Sequence, residues 1–86
     1  MKSYSEMTTY INYENGIVIN GWVYIAKDNI TIDYKKTYYF YSVTQAKRKH
    51  KKELSKIKKL YNSGNFELGS YNTIKINNEI LNYYYG

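Results

Sequence analysis

Few side chains in this 86-residue chain are equipped for covalent chemistry. There is no cysteine and a single histidine, His50. Nucleophilic catalysis needs a Ser, Thr or Cys beside a positioned base, and His50 is embedded in a lysine-rich run with Lys49, Lys51 and Lys52 as neighbours. The stretch His50-Lys51-Lys52-Glu53 lacks the second histidine of a H-E-x-x-H zinc motif. Asp28 and Asp33 are the only aspartates, and nothing pairs them as an acid and a base. Gly64 and Gly69 flank a loop but match neither G-x-G-x-x-G nor G-x-x-x-x-G-K-[ST]. The expectation is a protein with no catalytic residues, no metal site and no cofactor. It is not expected to be an enzyme.

The chemistry the residues do support is attraction of negative charge. Residues 42–61 hold eight of the thirteen Lys and Arg against one acid, Glu53, a net charge of +7. The remainder holds five lysines against six acids, a net of −1. Codon bias alone would spread lysine along the chain, so this segregation argues against a merely compositional origin. A pI near 9.4 with its cations on one segment is the footprint of a phosphate-backbone binder. Arg48 is the only side chain able to bond a phosphate or a guanine edge bidentately, and seven lysines accompany it. That ratio favours backbone attraction over base reading.

The segment that must carry these charges reads as a helix over 43–61. Ser42 and Gln45 have the spacing of a capping box, and Asn62-Ser63-Gly64 supplies a stop. At 100° per residue Val43, Ala46, His50, Leu54, Ile57 and Tyr61 form one stripe, with Leu60 at its edge. Arg48, Lys52 and Lys59 lie opposite, flanked by Lys49, Lys51, Lys56 and Lys58. The pairs Lys47–Lys51, Arg48–Lys52 and Lys52–Lys56 are like charges four apart, each unfavourable by a few tenths of a kcal/mol. Glu53 is placed to relieve Lys49 and Lys56. His50, on the apolar stripe, reads as a packing residue at the boundary of the core. The expected cationic surface is Arg48, Lys51, Lys52, Lys56 and Lys59.

The rest of the chain alternates in the manner of strands. Residues 1–7 read as a loose lead-in, and 8–41 as an antiparallel meander of four strands over 8–13, 17–26, 30–34 and 37–41. Glu14-Asn15-Gly16, Lys27-Asp28-Asn29 and Lys35-Lys36 would turn the chain. Asn20-Gly21 interrupts the strongest strand and suggests a bulge or bend at Gly21. Ile17, Ile19, Val23 and Ile25 share one face, with Val18, Trp22 and Tyr24 on the other. Isoleucine is the better core residue, so the isoleucine face should meet the helix. Residues 72–85 read as a last hairpin across Asn77-Asn78. The sheet needs an apolar partner, and the helix stripe is the one available. The fold class expected is α+β: one domain over 1–86, a twisted antiparallel meander packed on one long basic helix, with a C-terminal hairpin.

Composition narrows the partners. Ile, Asn, Tyr and Lys supply 45 of the 86 residues, all from A/T-rich codons, which suggests a phage or other mobile element as source. The first ten residues have no apolar h-region, and no apolar run approaches bilayer length. A cytoplasmic protein without a membrane partner follows as the default. A membrane-surface role is disfavoured because Ala46 and His50 stand where an interfacial helix would carry Leu, Phe or Trp. Thirteen tyrosines could stack on unpaired bases, although tyrosine is also a good strand former. Tyr83, Tyr84 and Tyr85 cannot all face inward, and they read as a protein interface. Two partners are therefore expected in order: nucleic acid bound without regard to sequence, or an acidic surface of a host protein that the chain would inhibit. Such an inhibitor would not mimic DNA, since a mimic must be acidic.

Overall fold

The computed structural model describes the backbone of residues 4–7 and 12–13 and the whole of residues 16–86. Among these residues seven strands and one helix follow in the order β1 (Tyr4–Met7), β2 (Asn12–Tyr13), β3 (Gly16–Ile25), β4 (Ile30–Tyr39), α1 (Val43–Asn62), β5 (Glu67–Leu68), β6 (Thr73–Ile76) and β7 (Glu79–Tyr85). The strands form one antiparallel sheet in the order β1-β3-β4-β7-β6-β5, with β2 also paired to β3. The helix packs on one face. The α+β class, the long helix and the C-terminal hairpin are as the sequence implies.

The centre of the sheet is simpler than the sequence suggests. Residues 30–39 form a single ten-residue strand, with no turn at Lys35-Lys36. Its alternation explains how a lysine pair fits. Ile30, Ile32, Tyr34 and Tyr38 are buried, Asp33, Lys35 and Tyr39 are exposed, and Lys36 takes its turn on the helix side, half-buried. Lysine lies along apolar surface by its stem while its ammonium reaches outward. Here the Lys36 Nζ reaches Glu53 at 3.9 Å and Glu79 at 3.7 Å.

No bulge occurs at Gly21 either. The register between β3 and β4 runs without a break from Gly16 opposite Tyr39 to Ile25 opposite Ile30. Gly21 is instead a point of close approach. A Cβ built there would lie 2.4 Å from His50 Cε1 and 3.2 Å from Leu54 Cδ1. The glycine lets the helix settle onto β3.

Two further differences lie at the start of the chain. Tyr4–Met7 pairs with β3 where a loose lead-in is expected. Of the strand expected over 8–13, Asn12 and Tyr13 pair with Ile17 and Gly16; the rest of it, and the turn at Glu14-Asn15, lie outside the described residues.

The core is the layer between sheet and helix. Val23, Ile25, Ile32, Ile74, Ile76, Leu81 and Tyr83 meet Leu54, Ile57 and Tyr61 in one cluster. Ile17, Ile19, Tyr38 and Ala46 form a second, beside the helix N-terminus. Each fully buried Leu or Ile stabilises the fold by about 1.5–3 kcal/mol. The isoleucine face of β3 meets the helix, and Trp22 stands on the opposite face, half-buried.

Candidate nucleic-acid interface

The helix holds the site, and its ends are well defined. The Ser42 hydroxyl accepts from the Gln45 N–H, and the Gln45 side chain accepts from the Ser42 N–H, closing the capping box. The Ser63 N–H donates to the Lys59 carbonyl, and Gly64 follows with a positive φ of 79°. Ala46, His50, Leu54, Ile57 and Tyr61 are the buried residues of the helix, as the stripe requires.

On the outer side Arg48, Lys51, Lys52, Lys56 and Lys59 are all exposed. With the half-buried Ser55 they line one shallow hollow along the helix. From Arg48 to Lys59 the helix rises about 16 Å, at 1.5 Å per residue. Among the described residues no carboxylate comes within ion-pair distance of these five cations. The first turn of the helix carries no acid.

The single acid of the helix is turned away from them. Glu53 does not pair with Lys49 or Lys56 as its spacing suggests. Its Oε2 accepts from the Tyr34 hydroxyl at 2.5 Å and the Tyr38 hydroxyl at 2.8 Å, and Lys36 stands 3.9 Å off. All three partners belong to β4. Burial, the bond to Glu53 and the negative charge of that carboxylate together push the Tyr34 phenol well above its ordinary pKa. Helical phase explains the placement: Glu53 sits on the edge of the apolar stripe, next to Leu54 and Ile57, and so points to the sheet's rim. That angle is readable from the sequence, but its two tyrosine partners are not.

His50 is wholly buried, not at the boundary. Its Nε2 donates to the Tyr34 carbonyl at 3.1 Å, and its ring stacks on Tyr34 with centroids 5.2 Å apart. Tyr38 meets it edge-on at 6.1 Å. Thus a polar side chain in the core satisfies itself on β4 and fixes the helix over Gly21. Among the described residues no group of three His, Cys, Asp or Glu side chains gathers in a metal-binding arrangement.

The tyrosines divide. Tyr83 is buried, 7% exposed, and belongs to the core. Tyr84 and Tyr85 are exposed, so an interface at this end has two tyrosines and not three. A different aromatic group, which the sequence does not single out, stands where β4 passes into the helix. Tyr39, Phe40 and Tyr41 are 56%, 86% and 42% exposed.

The chain matches no protein-family model, no curated protein and no solved structure. No helix among the described residues is long and apolar enough to cross a membrane.

Proposed function

We propose that this is a non-catalytic binding protein whose helix engages the phosphate backbone of a nucleic acid. The observation that carries the reading is the one-sided helix: five exposed cations on its outer face, and its only acid drawn to the other side by Tyr34 and Tyr38. Unpaired like charges on a helix cost stability, and a surface of this kind recovers that cost when it meets a polyanion. Lysine carries most of the charge, so the contact is one of field and counterion release, not of base reading. Neutralising four or five phosphates gives a slope of about −4 in log affinity against log salt.

Anisotropy titration of labelled oligonucleotides at two salt concentrations tests this. Wild type binds at low salt, weakens steeply as salt rises, and shows little dependence on sequence. Lys52→Glu with Lys56→Glu abolishes binding while the domain stays folded, because neither side chain touches the core. Wild type that does not bind at low salt, or a double variant that binds equally well, would remove the reading. The inhibitor of an acidic host protein would then take its place, drawing on the same cations and on exposed Tyr84 and Tyr85.

A further inference from the structure

Among the described residues six non-glycine residues have positive φ, and four of them are asparagine, which tolerates this region. The other two are Phe40, at 63°, and Tyr71, at 54°. A bulky side chain there is a true outlier. Among the described residues these two are also the most exposed of the large apolar side chains, at 86% and 94%. The backbone is held in an unfavourable conformation in which the ring gains no burial. Folding alone gives no reason to keep it.

The surroundings of Phe40 differ from those of Tyr71. By register, Thr73 lies opposite Asn82, which lies opposite Asp33, so Tyr71 sits at the far end of the sheet from Phe40. Phe40 is followed by the helix cap at Ser42, about one and a half to two turns before the cationic face begins at Arg48. Its neighbours are anchored. Tyr41 packs edge-on against the buried Tyr38, 6.3 Å between centroids, and the Lys49 Nζ stands 5.9 Å from the Tyr41 ring. Tyr38 is itself tied to Glu53. An aromatic corner on a fixed base thus meets the basic helix at Lys49, the residue next to Arg48 in the chain.

Resting on the nucleic-acid reading above, we infer that this corner is a base-stacking site and that the preferred ligand is single-stranded. Aromatic faces beside a positively charged track are the general means by which proteins hold unpaired bases. A duplex hides its base faces and offers Phe40 nothing to stack on, whereas the cations meet the backbone of either form. Phe40 takes the face of one base, and Arg48, Lys52 and their neighbours take the phosphates that follow.

The test compares wild type with Phe40→Asn, a residue that accepts the same φ, so the fold is kept and thermal melting confirms it. Both are titrated with a 12-nucleotide single strand and with the duplex of the same sequence, at two salt concentrations. Wild type favours the single strand. In the variant the ratio of single-strand to duplex affinity falls by roughly 5- to 150-fold, the range of one base–aromatic stack. A 2-aminopurine in the strand is quenched by wild type and not by the variant. An unchanged ratio overturns the inference and leaves the cationic face standing, as does an equal loss for both ligands. No binding of either ligand by wild type at low salt removes the inference together with the reading beneath it. If the variant keeps its nucleic-acid affinities and loses a specific protein partner, the corner is a protein anchor and the inference fails.

Discussion

Gly21 and His50 are best understood as one unit. A β-carbon at 21 has no room beneath the imidazole, and the imidazole cannot rotate away without losing its bond to the Tyr34 carbonyl. Overpacking a tight contact of this kind costs about 1–3 kcal/mol. Gly21→Ala should therefore destabilise the protein by that amount in urea unfolding, although alanine is the better residue in an isolated chain. Adding His50→Ala should recover part of the loss, giving a non-additive double-mutant cycle. Additive effects would show that the two residues do not share the space. At this scale the sequence is only half legible. A glycine inside a strand has two ordinary meanings, a bulge or a close approach. The choice depends on a residue 29 positions later in the chain. The same holds for Glu53: its phase on the helix is local information, while the two hydroxyls it accepts from depend on tertiary packing.

The helix is legible as an element because its determinants are local. Ser42 and Gln45 close the cap and the apolar stripe repeats at helical spacing, so its limits are read to within a residue. The strand at residues 30–39 is not, because two adjacent lysines resemble a turn until a carboxylate on the helix and another on β7 are seen to receive one of them. A prediction belongs to this scale. Lys52 has Arg48 four residues before it and Lys56 four after, with no carboxylate in ion-pair range among the described residues. Lys52→Glu turns two repulsive pairs into two attractive ones and should stabilise the domain by about 1 kcal/mol. The same substitution should weaken nucleic-acid binding and make the salt slope shallower by about one. Stability from chemical denaturation and affinity from anisotropy would thus move in opposite directions. A variant that lost both would show that Lys52 has a structural role not evident from its exposure.

For the whole molecule, the polar ties between layers predict an alkaline limit. The Tyr61 hydroxyl donates to Asp28 at 2.5 Å, and burial, that bond and the nearby carboxylate push its pKa up to about 12. Tyr34 is raised for the same reasons, by burial first and then by Glu53. In an unfolded chain both phenols titrate near 10. The fold favours their neutral forms. The stability this gives is complete below pH 10 and is lost progressively as the pH rises through about 12. The urea midpoint should be flat up to about pH 10 and fall above it. Absorbance at 295 nm should show some tyrosines ionising together with unfolding. Tyr61→Phe should flatten part of the fall. A midpoint that holds level to pH 12 would contradict the assignment.

The place of β7 has a consequence for the newly made chain. It lies between β4 and β6 in the sheet, yet it follows β4 by about forty residues in the sequence. At 5–20 residues per second, translation leaves one edge of β4 unpaired for roughly 2–8 s. The β3–β4 hairpin and the helix are complete during that interval, so the apolar face is covered before the edge is. An open edge invites pairing with another chain, and charged residues in the strand oppose it. β7 comes to pair with Ile30–Asp33, and Lys35 and Lys36 stand just past that stretch in β4. The lysine pair that resembles a turn thus guards a strand still waiting for its neighbour on the ribosome.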